Sequence, residues 1–403
     1  MPNSIYYIIG TLFNAAIPFL FLPILTRVLS VEEYGALNLL ITIYSLAVPI
    51  ISIALPQYVF RVYFDGRKLF KEKVESAVYT VLYWACILFF ISLLCVLSLY
   101  SFELISKYQA GSILVIFISA VLNIFFQMRI MLFNAEGKAR HYIVYQFSYT
   151  VVIFFFTLAS LFLVNSGSFS RVIGTIFADL VFAIISIRLL RKCFNVNIFR
   201  NNEIDTEFLK FGFGLIPHLI ASILLSSADK IIIASKLSMA DLASYALSVQ
   251  FCAILMIYTQ GISKEWSRYY LSHRSSVKTL KIAFLLSSSI FIIALVIYSL
   301  KDLFFLIFVG EGYVISSTVI LILLLSQVFH SIYMIISVEI TYQKKTHILS
   351  SMTVLSLVVN IIVSMILVGT YKSVGVAIGT MAGMFAKLLA VSLFFNYSKN
   401  EFK

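Results

Sequence analysis

Six ionisable side chains stand in stretches otherwise made of apolar residues: Arg129, Asp179, Asp229, Lys230, His330 and Lys387. The cations among them can hold an anionic group such as a phosphate. The two carboxyls and the imidazole can bind and release a proton or a small cation. Each charge is costly in such a setting, because Lys, Arg or Asp at the centre of a membrane helix lies about 2.5–3.5 kcal/mol uphill. Amides recur in similar surroundings at Asn14, Asn38, Gln57, Gln250 and Gln260 and can hydrogen-bond hydroxyl-rich ligands. No His, Cys, Asp or Glu cluster has metal-ligand spacing, so no metal site is expected. The four cysteines (Cys86, Cys95, Cys193, Cys252) form no Cys-x-x-Cys, and neither a disulfide framework nor a zinc site is indicated. A Walker A motif is absent, which argues against direct ATP drive, and no cofactor is expected.

These residues must be positioned by membrane helices. The chain is 61% apolar and 12% charged over 403 residues, with a mean hydropathy of +1.00. Soluble domains carry about 25% charged residues, so this chain lacks the charge to coat a water-facing surface. A spanning helix needs about 20 mostly apolar residues. Twelve such runs can be cut: 5–27, 34–60, 76–100, 110–133, 141–164, 170–192, 209–234, 239–263, 279–300, 312–338, 347–370 and 373–396. The first lacks a basic leading region and a small-residue cleavage site, and reads as an uncleaved helix. The polar stretches between runs are too short for a soluble catalytic domain, and an enzyme is not expected.

Lys and Arg counted over alternate loops fall 21 to one side and six to the other, with Arg129, Lys230 and Lys387 inside spans. The positive-inside rule then puts both termini in the cytoplasm. The formal charge of +12 is mostly this asymmetry, with affinity for anionic lipid headgroups. Nothing in it argues for nucleic acid.

The twelve runs divide into two sixes. Arg27-Val28-Leu29-Ser30 with Glu33 closes run 1, and Lys236-Leu237-Ser238 with Asp241 closes run 7, 208 residues on. Ile173-Gly174-Thr175 and Ile378-Gly379-Thr380, 205 apart, lie in the sixth run of each half. Nearly equal offsets at corresponding helices indicate an internal repeat. Both Ser-x-x-acid elements also have the form of capping boxes that open the next helix. The expected domains are a six-helix bundle over 1–200 and a second over 201–403.

Pro23-Ile24-Leu25-Thr26-Arg27-Val28-Leu29-Ser30-Val31-Glu32-Glu33-Tyr34-Gly35 resembles the first-loop signature of the polysaccharide-unit exporters of the multidrug/oligosaccharidyl-lipid/polysaccharide superfamily. Asp229-Lys230-Ile231-Ile232-Ile233 with Ala243-Ser244-Tyr245 resembles their seventh helix, and Asn360 with Gly375-Val376-Ala377-Ile378-Gly379-Thr380 their final helix pair. Length and span count look most like the O-antigen flippases. The resemblance implies an all-α membrane protein with two six-helix bundles flanking a central cavity that opens alternately to each side. It implies translocation of a lipid-linked oligosaccharide across the bacterial inner membrane. The expected partners are that substrate, membrane lipids, and a glycan polymerase with chain-length machinery. Two other readings stay open. One is a multidrug/cation antiporter, which would favour acidic cavity groups. The other is a membrane glycan polymerase, which would need a larger outer loop or a catalytic cluster.

Against that expectation, Arg27, Arg129, Lys230, Lys387, Asn14, Gln57 and Gln250 are the substrate-binding candidates, and Asp179, Asp229 and His330 the coupling candidates. Lys387 continues the stripe Gly375, Gly379, Gly383 at four-residue spacing. A cavity role, a structural ion pair and snorkelling are its three readings, and Asp179 in the equivalent sixth helix is a candidate partner. Arg129 lies near a span end, where snorkelling competes with function. Asp229 and Lys230 are neighbours pointing about 100° apart, so each needs a partner elsewhere. Arg27 can supply one or can cap a loop. His330 reads as either a coupling group or a hydrogen-bonded packing histidine. Pro18, Pro23, Pro49 and Pro56 suggest bent first and second helices lining the pathway.

Orientation can be tested without substrate. In a cysteine-free background, a cysteine at Ser168 is expected to react with an impermeant maleimide in intact cells. One at Ser275 should react only after the inner face is opened. The reverse pattern would overturn the topology.

Overall fold

A computed structural model describes residues 17–103, 107–164, 166–197, 203–272, 277–343 and 345–401. Asn14 and Ser275 lie outside them. Every regular element among the described residues is helical. Ten helices are long and apolar enough to cross a membrane, and the chain is a multi-pass membrane protein. One of the ten, Thr346–Glu401 (α14), breaks at Lys372, where φ is 48° and ψ is −131°, and so supplies two spans. With the shorter apolar helix Ile17–Val28 (α1), the described helices account for the twelve expected runs.

The others, in order, are α2 (Val31–Ser52), α3 (Leu55–Val62), α4 (Arg67–Ser101), α5 (Lys107–Ala135), α6 (Ala139–Val164), α7 (Ser170–Phe194), α8 (Thr206–Lys236), α9 (Met239–Ser272), α10 (Val277–Ser299), α11 (Lys301–Phe308), α12 (Ser317–Ile336) and α13 (Val338–Tyr342). Two compact units emerge. One comprises the chain through Phe21 with Leu40–Ile220; the other comprises Leu22–Leu39 with Ala221–Lys403. The loop between the first two spans therefore belongs to the second unit.

The second expected span ends sooner than its hydropathy suggests. α2 stops at Ser52, and Ile53 and Ala54 take left-handed conformations (φ 47° and 57°) with no solvent exposure. Such conformations cost non-glycine residues about 1–2 kcal/mol each. Pro56 then occupies the first turn of α3, where its missing N–H costs nothing. The strained turn is held by packing: Ile51, Ile53, Leu55, Tyr58 and Val59 share one buried core with Val74, Ile124 and Met128. Gly212 of α8 lies so close to the Ile53 carbonyl that a Cβ has no room. The bend expected from the prolines is thus a break between Pro49 and Pro56 rather than a kink at either.

Both capping boxes form. Ser30 Oγ accepts from the Glu33 N–H (3.2 Å) while the Glu33 carboxylate accepts from the Ser30 N–H (2.9 Å). Ser238 and Asp241 repeat the exchange at 3.1 and 3.2 Å. The helices they open meet within the second unit, where a Cβ on Gly35 would strike the Met239 carbonyl.

The repeated Ile-Gly-Thr motif has one role in both units. Gly174 of α7 lies against Thr157 Oγ1 and the Ile153 carbonyl of α6. Gly379 lies against Ser364 Oγ and the Asn360 carbonyl of the preceding span. Each glycine lets a polar-faced helix approach a backbone closely, which in lipid substitutes packing for the hydrophobic drive that water would supply.

Overpacking costs about 1–3 kcal/mol, so Gly174→Val and Gly379→Val should each lower the unfolding temperature of the detergent-purified protein. Gly111→Ala, where open space surrounds the site, should not. Equal effects at all three would remove the close-approach role.

Candidate functional site

Four helices of the first unit converge on one carboxylate. Asp179 of α7 is fully buried. Its Oδ2 accepts from Tyr44 Oη of α2 (2.9 Å) and from Ser119 Oγ of α5. Its Oδ1 accepts from Asn123 Nδ2 of α5 (2.8 Å) and Tyr149 Oη of α6 (2.7 Å). Tyr149 is fixed in turn by stacking on Phe126, with ring centroids 3.9 Å apart. All four donors are neutral and come from the same unit. Three of the four donors are hydroxyls, which can rotate and accept a hydrogen bond instead. The cluster can therefore accommodate either protonation state of Asp179 by hydroxyl rotation, without moving backbone.

Lys387 in the second half of α14 is 5% exposed, and its Nζ lies 4.2 Å from the centroid of the Tyr333 ring of α12. No carboxylate lies within ion-pair distance of it among the described residues. The ammonium is thus neither snorkelled nor ion-paired there; an aromatic face is its partner. His330, one turn before Tyr333, stacks on that ring at 6.0 Å. The His330 Nδ1, the Gln327 Oε1 and the Asn360 Nδ2 are buried without a hydrogen-bond partner. Asn360 packs against Gly383, one turn before Lys387. Where the first unit gives the Asp179 carboxylate four donors, the second holds a lysine without an ion-pair partner among the described residues.

Arg129 is not snorkelled. It is 2% exposed, pairs with Glu136 at 3.0 Å, and lies 3.9 Å over the Phe133 ring. Lys138 approaches the same carboxylate at 2.6 Å. Asn123, six residues before Arg129 on α5, donates to Asp179.

Arg27 caps a helix rather than pairing with Asp229. Its Nη2 donates to the Ile307 carbonyl (3.0 Å) at the end of α11, where the helix dipole favours a cation. Thr26 Oγ1 accepts from the Gly310 N–H at 3.0 Å. Thr26, Arg27 and Gly310 border a cavity of about 990 Å³ shared with Lys301, Asp302 and Glu311. Asp229 accepts from the N–H of Lys230 (2.8 Å). Lys230 is half-buried. Gln250 accepts from Tyr34 Oη at 3.3 Å, and Gln57 is half-buried with Oε1 unpartnered. Within the first unit Asp179 and Arg129 thus have partners of their own. Sequence reasoning missed Tyr44, Ser119, Tyr149, Tyr333 and Glu136. Each is an ordinary residue in its own helix, and no spacing announces which neighbour it meets.

The helix order is that of solved transporters of the MOP superfamily. An inward-facing multidrug resistance MATE family transporter superposes with a TM-score of 0.72 at 16% identity, covering 96% of this chain and 94% of that one. The lipid II flippase MurJ, in an inward closed conformation, gives 0.74 at 16% identity, covering 97% and 87%. Both likenesses are of fold. The chain itself belongs to the polysaccharide biosynthesis protein family, whose model matches residues 1–263. It is 26% identical to the Lsg locus putative protein 1 of Haemophilus influenzae over 370 residues, 89% of this chain and 88% of that protein. An uncharacterized membrane protein of the same organism is 26% identical over 365 residues.

Removing one partner of a buried ion pair costs about 3–5 kcal/mol, whereas replacing both with apolar residues is often neutral. Glu136→Gln should therefore sharply lower the unfolding temperature, and Arg129→Met with Glu136→Leu should recover most of the loss. No recovery in the double variant would assign Arg129 a role beyond the pair.

Proposed function

We propose that this protein is a flippase that carries a lipid-linked oligosaccharide, of the polyprenyl-pyrophosphate O-antigen or capsule repeat-unit type, from the cytoplasmic to the outer leaflet of the bacterial inner membrane. Membership of the polysaccharide biosynthesis family, on a fold shared with a lipid II flippase, carries this reading. The difficulty of the reaction is desolvation. A glycan with an anionic linkage cannot shed its water into hydrocarbon, so a protein must offer polar contacts in place of that water. Lys387 with the unpartnered His330 Nδ1, Gln327 Oε1 and Asn360 Nδ2 fits the recognition of such an anion and its hydroxyls. Movement is by alternating access, with both termini in the cytoplasm, in keeping with the 21-to-six loop asymmetry. Asp179 is the proposed coupling group: its hydroxyl shell tolerates gain or loss of a proton, which gives an ion gradient a place to act. The glycan polymerase and chain-length machinery are proposed partners.

The test is flipping of a defined lipid-linked glycan in vesicles, scored by sidedness of the sugar under an imposed pH or sodium gradient. Lys387→Ala should lower the rate about tenfold or more, the loss of one charge-assisted contact, and Lys387→Arg should retain more activity. Asp179→Asn should insert normally and lose gradient dependence. Normal flipping by Lys387→Ala would remove it from the substrate path. A wild type that exports cationic dyes but leaves the glycan in place would make the protein an antiporter.

A further inference from the structure

A second basic site lies in the first unit, away from the Asp179 cluster. Where α6 begins and α7 ends, a cavity of about 740 Å³ is bordered by the basic Arg129, Lys138, Arg140 and His141 and by the apolar Val144, Phe182, Ile185 and Leu189. Glu136 holds Arg129 Nη1 and Lys138 Nζ. The Nε of Arg129, which is nine-tenths buried, has no hydrogen-bond partner. No carboxylate lies within ion-pair distance of Arg140 among the described residues. Three cations thus face one carboxylate, and the N-terminal end of α6 adds its partial positive charge.

The apolar lining runs on along both helices. Val144, Phe147, Val151 and Phe155 form an exposed stripe on α6, and Phe177, Val181, Ile184 and Ile185 an exposed face on α7. In a spanning helix such a face is solvated by hydrocarbon. A cavity with a cationic border beside a lipid-facing stripe has two complementary parts, one for a phosphate and one for an attached chain. Basic pockets between membrane helices on the cytoplasmic side have this character.

We infer that this cavity binds the phosphate headgroup of an anionic glycerophospholipid of the inner leaflet, with an acyl chain lying along the α6–α7 stripe. Arg140 and Lys138 reach the phosphate oxygens as exposed donors. Arg129, held by Glu136 and the Phe133 ring, keeps the floor of the pocket positively charged. The ligand is a resident lipid, not the transported one, and the inference stands whether or not the protein flips glycans.

Cys193 borders the cavity and is exposed, which makes it a reporter. With Cys86 and Cys95 replaced by alanine and the buried Cys252 retained, Cys193 is labelled with bimane and the full chain placed in phosphatidylcholine nanodiscs. Brominated phosphatidylglycerol should quench the label at a far lower mole fraction than brominated phosphatidylcholine. Each basic side chain near an anionic lipid is worth about a fivefold change in binding. Lys138→Gln with Arg140→Gln should therefore raise the required mole fraction about twentyfold, while Lys210→Gln, removing an exposed charge elsewhere on the chain, should not. Equal quenching by the two lipids, or equal loss in the Lys210 variant, would overturn the site. A response to millimolar inorganic phosphate in lipid-free detergent as large as that to the lipid would make the ligand a free anion and overturn the lipid assignment.

Discussion

In hydrocarbon no water stands ready to satisfy a stray polar group, so one placed inside the spans finds its partner within the chain or is left at a cost. The Asp179 carboxylate meets that demand with four donors from α2, α5 and α6. Its position on α7 depends on Gly174 letting α7 approach α6, because Tyr149 reaches Asp179 across that same contact. The stacking of Phe126 on Tyr149 ties α5 to the same point. Several features that look independent in the sequence (a glycine, a tyrosine, an aspartate) are one arrangement in space.

The second unit repeats the scaffold and changes its contents. Gly379 brings the last two spans together as Gly174 does α6 and α7, and a capping box opens α9 as one opens α2. Yet the polar residues carried by this scaffold are unsatisfied: Lys387 has a tyrosine ring for a partner, and His330 Nδ1 and Gln327 Oε1 have none. A buried polar group without a partner costs about 1–3 kcal/mol. His330 Nδ1, Gln327 Oε1 and Asn360 Nδ2 are held at that cost, whereas the Asp179 carboxylate has four donors. The two units thus share close glycine contacts and capping boxes but differ in their interiors: a carboxylate with four donors in one, a lysine against a tyrosine ring in the other.

Backbone detail follows the same constraint. Ile53 and Ala54 hold left-handed conformations in full burial because the surrounding core and the absent side chain of Gly212 determine their positions. At the other end of the chain, Lys372 turns the last two spans through a similar irregularity. Arg27 and Thr26 close the end of α11, so the loop after the first span serves as a cap for a helix far along the chain.

The sequence by itself determined the class of the protein, its apolar runs and the capping boxes, and it showed two motifs repeated at offsets of 208 and 205 residues. These are local or periodic properties: hydropathy over about 20 residues decides a span, and Ser30 and Glu33 are close enough in the chain to find each other. It also singled out Asp179 and Lys387, since a charge in an apolar run is conspicuous without any structure. Only the tertiary structure decided their partners. Asp179 took tyrosines, a serine and an amide; Arg129 paired with Glu136 instead of rising to an interface; Arg27 took a carbonyl instead of Asp229. Each choice depends on the rotation of one helix against another, which small residues and ring packing set jointly over the whole unit. No pair of residues in a single run contains that information.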